Sequence, residues 1–271
     1  MNTLRAMRVL LRRSALSLAA LSCLALQPAR AQRNPSFAQR LNAPDDGWRV
    51  SVSPYLWLSG IDGNVSIAGQ TAAVHQDFSE TFSNLKVGVM GLAEARRGRV
   101  GILADALFVR VGDQKAIAVP TAPLILKVDL TTTTFTLTPE AAFRFFESKH
   151  FAADMLGGLR YYHLGAASRL TLNPLGERTL KGSANWADVT GGARLIVPIT
   201  SKLGAFGLGD AGVGGSAQSW QVVYGAGYTL TRRITAQLGY RRLYFDRQSE
   251  ASFAAEATQQ GVVLGATIHL R

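Results

Sequence analysis

From Trp48 to the C-terminus, apolar and polar residues alternate with a period of two, the pattern of half-buried strands. Residues 48–58 set Trp48, Val50, Val52, Pro54, Leu56 and Leu58 on one face, and Arg49, Ser51, Ser53, Tyr55 and Trp57 on the other. The alternation recurs over 87–97, 100–112, about 130–146, 151–170, 186–198, 203–214, 219–230 and 234–246, and closes with Val262, Leu264, Ala266, Ile268 and Leu270. No helical period of comparable length competes with it.

The connections between these segments alternate in length. Arg97-Gly98-Arg99, Glu147-Ser148-Lys149-His150, Thr200-Ser201-Lys202 and Thr231-Arg232-Arg233 read as tight turns. Residues 113–123, 171–185 and 247–257 read as longer loops, with Gly214 to Gln218 a short exception. Short turns at one end and long loops at the other are the asymmetry of outer-membrane barrels. The parity predicts an all-β fold, a closed antiparallel transmembrane β-barrel of ten strands, with eight or twelve as alternatives. Residues 59–86 then form an outer loop or hairpin, with a helical turn at Ser79–Leu85.

Charge decides which face meets lipid. Opposite the apolar stripe lie six acids, Glu94, Asp105, Glu140, Asp154, Asp188 and Asp210, and six bases, Arg49, Arg96, Arg144, Arg160, Arg194 and Arg241. Every base is an arginine, whose planar fork can bridge two carboxylates. These twelve are expected to face the lumen as a roughly neutral ion network, with Glu140 holding one or more arginines. The apolar stripe carries aromatics at both ends: Trp48, Phe143, Phe145, Phe151 and Tyr228 near the tight turns, and Phe108, Phe135, Tyr161, Trp220 and Tyr244 farther along. Two such girdles mark two membrane interfaces. A soluble barrel with the faces reversed would use lysine freely on its outer strands, yet residues 87–112 contain none.

Composition agrees with a β-rich, membrane-embedded chain: 47% hydrophobic, 17% charged and 27 glycines in 271 residues. The formal charge of +11 is concentrated at the start, where Arg5, Arg8, Arg12, Arg13 and Arg30 meet no acid before residue 32. Without them the balance falls to +6, and no basic run or aromatic-interleaved stripe points to nucleic acid. The basic opening, the apolar block Ser14–Leu26 and Pro28-Ala29-Arg30-Ala31 read as a secretory signal peptide, residues 1–31, cleaved after Ala31. Residues 32–47 would be a periplasmic N-terminal segment and 48–271 the barrel, located in the outer membrane. Cys23, the only cysteine, lies in the leader, so the mature chain has no thiol.

Trp48–Gly63 (WRVSVSPYLWLSGIDG), Phe78–Leu85 (FSETFSNL) and the closing GVVLGATIHL resemble a family of bacterial outer-membrane β-barrel proteins without assigned activity, over roughly 47–271. The last strand is similar to the signal read by the barrel-assembly machinery, with Gly265, Ile268 and Leu270 at matching positions. It departs in ending Leu270-Arg271 rather than in an aromatic residue. The resemblance implies a fold, a location and that biogenesis partner, and it supplies no catalytic residue.

Chemistry is sparse. His75, His150, His163 and His269 are the only histidines. His163 and Ser168 lie at odd spacing, on opposite faces of one strand. His75 and Asp77 share a face in the outer segment, where a solvated loop is expected rather than a protease-like pair. No zinc or calcium motif occurs, so neither a metal nor a cofactor is expected. The expectation is a non-enzymatic structural barrel embedded among outer-membrane lipids, with its lumen filled by the Arg–carboxylate network. The alternatives are a narrow passive channel and a lipid- or peptide-acting enzyme.

Overall fold

The computed structural model describes residues 47–67, 70–118, 125–172, 176–248 and 253–270. The expected signal peptide, its cleavage point and the following segment through residue 46 lie outside these residues. The two-residue alternation becomes strands β1 (Arg49–Ile67), β2 (Gln70–Gln76), β3 (Leu85–Arg97), β4 (Val100–Ala118), β5 (Ile125–Glu147) and β6 (Ala152–Leu172). It continues in β7 (Gly176–Pro198), β8 (Leu203–Gly214), β9 (Gln218–Thr229), β10 (Ile234–Arg247) and β11 (Phe253–His269). A short helix, α1 (Phe78–Ser83), stands between β2 and β3, one residue earlier than the helical turn read from sequence.

Each strand from β3 onward pairs antiparallel with the next, and β11 pairs back onto β1, from Ser51↔His269 to Ile67↔Phe253. This closure joins the first barrel strand to the last, as a sheet in hydrocarbon requires, and leaves β2 as an edge strand. Ten strands close the barrel, and β2 is an added hairpin partner on the outer extension of β1, from Ile61↔Gln76 to Ile67↔Gln70. β1 therefore changes partner part-way. It pairs with β3 from Arg49↔Arg96 to Pro54↔Gly91 and takes up β2 at Ile61. Pro54, with no N–H to donate, sits where the first ladder stops. Just beyond it, the Trp57 N–H lies 3.2 Å from Met90 Sδ.

The end holding Arg49 and His269 carries four tight connections. Gly98 turns β3 into β4 at φ 57°, a conformation side chains resist. The other three share one device. Ser148, Thr200 and Thr231 each accept, on the side-chain hydroxyl, the N–H groups two and three residues on. Short turns belong to the periplasmic side of an outer-membrane barrel, which names the two ends.

The outer end differs from the sequence expectation. Residues 113–123, 171–185 and 247–257 were expected as loops, but most continue the strands. β4 reaches Ala118, β5 starts at Ile125, and β7 starts at Gly176. β5 and β7 have 23 residues each, about twice the 9–11 a tilted spanning strand needs. Above the membrane, polar residues such as Thr131–Thr134 still pair in register with β4 and β6, so the ladder satisfies the backbone there. β8 and β9 have only 12 residues each, so the rim is tall over β4–β7 and low over β8–β9.

The faces follow the alternation. Val52, Leu56, Val89, Ile102, Met155, Leu159, Val189, Leu195, Leu238 and Leu264 are exposed on the outside. Arg96, Arg144, Asp154, Arg160, Asp188, Asp210 and Arg241 are buried inside. An apolar exterior around an ionic interior is the arrangement of a transmembrane barrel.

Candidate functional site

The lumen is built in three tiers. Nearest the periplasm, Arg194 on β7 donates to both Glu94 carboxylate oxygens at 2.8 Å. It also reaches Asp154 Oδ2 at 2.7 and 3.0 Å. Asp154, on β6, is the hub of this tier. It accepts from Arg96 at 2.9 Å and from Arg144 at 2.8 and 3.4 Å as well. Arg96 closes the set with a 3.1 Å contact to Glu94, and Arg144 reaches Glu147 at 3.5 Å. Planar guanidinium groups can join shared carboxylates in this way.

The middle tier holds two separate ion pairs. Arg241 on β10 meets Asp105 at 2.8 Å, and Tyr55 donates to Asp105 at 2.7 Å. Arg241 also donates to the Tyr55 oxygen at 2.9 Å. Arg160 meets Asp210 at 2.6 Å and Thr138 at 3.3 Å, while Gln221 donates to Asp210 at 2.5 Å.

Two of the predicted acids stand apart from these pairs. Glu140 is buried, and its hydrogen bond is a 3.5 Å contact from Thr190. No cation among the described residues lies within ion-pair distance of it. The expectation that Glu140 holds arginines is therefore corrected: Arg160, the base from the neighbouring strand, is drawn to Asp210 instead. Asp188, fully buried, accepts from the Ser216 backbone N–H at 2.7 Å and the Ser219 hydroxyl at 2.8 Å. It fastens the low β8–β9 turn rather than an arginine. Arg49 stands on the wall of the lumen at its periplasmic end. The expected single network is thus one five-residue cluster, extended to Glu147, and two pairs.

The outer tier was not read from the sequence as a unit. Tyr162, Trp186 and Phe245 converge inside the barrel, with ring centroids 4.7 Å apart for Tyr162–Trp186 and 5.5 and 5.6 Å for the contacts to Phe245. Trp57, Leu107, Leu243, Ala255 and Ala257 pack around them in one buried cluster. Arg241 lies over Trp57 from below and Arg247 over Trp186, each 4.8 Å from the ring centroid. The Trp186 indole N–H donates to Ser216 Oγ at 2.8 Å, and Gly215 lets the turn pass close over the Trp186 side chain. The signal was available: all four large aromatics lie on the polar-face parity of their strands.

Below this tier lies a cavity of about 510 Å³ that extends to Arg49, Arg232 and His269 at the periplasmic rim. Leu92, Leu103, Phe206, Leu208, Val223 and Val263 give its lining apolar patches. The ionic residues, with Glu140 and Gln221, are interleaved with them on the same strands, and Leu103 lies directly beside Glu140 in the β4–β5 ladder.

Outside, the predicted girdle residues all project from the barrel. Trp48, Phe143, Phe145, Phe151 and Tyr228 are exposed near the tight turns. Phe108, Phe135, Tyr161, Trp220 and Tyr244 lie toward the outer end, with Phe135–Tyr161 in an edge contact at 6.2 Å and Trp220–Tyr244 stacked at 5.9 Å. A bulge between Arg144 and Phe146 adds one aromatic the alternation missed. It turns Phe145 and Phe146 both outward, and Phe146 stacks on Phe151 at 4.5 Å. Among the histidines, His163 contacts Asn185 at 2.6 Å and His269 lines the cavity. His75 bonds Asp62 across the β1–β2 ladder, with Asp77 3.7 Å from its other ring nitrogen.

No family model and no curated protein matches the chain. Among solved structures, the outer membrane protease OmpT from Escherichia coli matches with a TM-score of 0.56 at 9% identity, over 82% of this chain and 97% of that one. By fold, the chain is a closed antiparallel β-barrel like that outer-membrane protein. The translocator domain of the autotransporter NalP from Neisseria meningitidis matches with a TM-score of 0.37 at 14% identity, over 93% of this chain and 97% of that one. The attachment invasion locus protein Ail of Yersinia pestis, solved with the heparin analogue sucrose octasulfate, matches with a TM-score of 0.34 at 11% identity, over 82% and 97%. The OmpT likeness concerns the barrel alone.

Proposed function

We propose that this barrel resides in the bacterial outer membrane as a non-enzymatic structural component of the envelope, with a lumen that does not conduct. The Tyr162–Trp186–Phe245 tier carries the reading, because stacked rings packed by Trp57, Leu107 and Leu243 fill the cross-section on the outer side. A barrel of about this strand number is narrow enough for side chains to fill. The apolar exterior and the two girdles support outer-membrane lipid as its surroundings. The N-terminal pattern supports export with cleavage after Ala31, and the last strand supports insertion by the barrel-assembly machinery. Planar-bilayer recording of the purified protein is the test. A quiet trace is expected, and steady open levels would replace this reading with that of a narrow channel.

A further inference from the structure

We infer that the periplasmic-end cavity is a binding site for a small organic cation with an apolar tail, a soluble alkylammonium, whose charged head is taken by Glu140 and Gln221. Glu140 is the one carboxylate of the cavity lining with no cation within ion-pair distance among the described residues. Asp105 and Asp210 each hold an arginine at 2.8 Å or closer, and Glu94 and Asp154 share three. Glu140, equally buried, faces the same cavity with only the Thr190 hydroxyl at 3.5 Å. A carboxylate removed from water without a cation or good donors is costly, so the position favours a partner that brings positive charge.

Gln221 supplies an independent second acceptor. One amide N–H donates to Asp210, and its buried Oε1 meets no donor among the described residues, the residue being 4% exposed. Both groups accept rather than donate, which matches the N–H bonds of an ammonium head. An anionic head would need an uncommitted cation instead. Arg96, Arg144, Arg194 and Arg241 are all held by carboxylates, and Arg49, Arg232 and His269 at the rim are not free either.

The apolar residues of the same lining select the rest of the molecule. Leu92, Leu103, Phe206, Leu208, Val223 and Val263 offer apolar contact for an alkyl chain, and about 510 Å³ is within the range of small-molecule pockets. The strands separate the cavity from the lipid, and the aromatic tier closes it toward the outside. The ligand therefore enters from the periplasm and leaves the same way.

The test is calorimetry on the purified full barrel in phosphatidylcholine nanodiscs, which contain no primary amine, with empty discs subtracted. Hexylammonium, hexanol and hexanoate share a chain and differ in the head. Hexylammonium should bind at one site, roughly tenfold or more tighter than hexanol, as a charge-assisted hydrogen bond implies. Hexanoate should be the weakest. Glu140→Gln should abolish the preference for the ammonium, and Leu208→Trp, which adds bulk to the apolar lining, should abolish binding of both. Hexylammonium binding no better than hexanol, or a preference surviving in Glu140→Gln, overturns the proposal. Because the three heads are compared on the unaltered protein, the proposal remains falsifiable if Glu140→Gln does not fold. Bilayer recording tests the closed lumen separately.

Discussion

Arg194 on β7 and Glu94 on β3, one hundred positions apart, meet inside the barrel through two 2.8 Å N–H···O contacts. The same guanidinium reaches Asp154, so one side chain ties three strands together. Asp154 in turn serves Arg96, Arg144 and Arg194, and its removal leaves three buried guanidinium groups short of an acceptor.

The consequences for stability differ sharply between acids that look alike in sequence. Asp154→Ala should lower the unfolding free energy by about 3–5 kcal/mol, the usual cost of leaving buried charge unpaired. Glu140→Ala removes one long hydrogen bond and an unpaired carboxylate, so its cost should be about 1 kcal/mol or less. Urea unfolding of both variants in lipid discs measures the difference. Equal losses would mean that Glu140 carries ion-pair energy after all.

The lipid face predicts the opposite sensitivity. Val89 projects from β3 and is 65% exposed, a position only hydrocarbon covers in the membrane. Val89→Arg should cost about 2–4 kcal/mol if the position lies near the midplane. Gln237→Arg, on the cavity wall, should be much milder because its new charge faces the lumen. Unfolding titrations, with heat-modifiability on gels as the check for folding, separate the two. A harmless Val89→Arg beside a severe Gln237→Arg would invert the two faces.

The fold was legible because alternation is a local signal. Val89 and Met90 announce their faces by position in the chain, and the tight turns at Gly98, Ser148, Thr200 and Thr231 announce the reversals. Two kinds of information were not local. The height of the hairpins depends on whether ladders such as Arg110↔Thr133 and Thr133↔Gly165 continue above the membrane. A composition of threonine, glycine and alanine does not distinguish that from a loop. Partner choice in the lumen depends on reach across strands. Arg160 sits directly beside Asp188 in the ladder, yet it pairs with Asp210, fifty positions away, while Asp188 turns to Ser216.

The outer hairpin should respond to pH. Asp62 bonds the His75 ring, and this contact, reinforced by the charges of Asp62 and Asp77, raises the His75 pKa above the usual 6.5. A raised value means that the protonated ring is favoured in the folded hairpin. Its contribution is complete below the unfolded pKa of about 6.5 and is lost as pH rises through the higher folded value. Hydrogen exchange over Asp62–Gln76 should therefore quicken on that rise, after correction for intrinsic rates. An NMR titration of His75 should report the raised midpoint, and Asp62→Asn should bring it back toward the ordinary value. A wild-type midpoint at or below the usual value would remove Asp62 as its cause.

Under the proposed reading of a non-conducting lumen, the aromatic tier is the place where conductance can be created. Tyr162 and Phe245 contribute rings to the stack, while Trp186 also fastens the β8–β9 turn through Ser216. Tyr162→Ala with Phe245→Ala should empty the centre of the tier and leave Trp186 holding the turn. The cavity beneath, already open toward the periplasm, would then continue through the barrel. Single-channel recording should show openings in the double variant and none in the parent, at a stability cost of about 3–5 kcal/mol for each ring removed. A folded double variant that stays silent would place the block elsewhere in the lumen, with the arginine clusters the next barrier to remove.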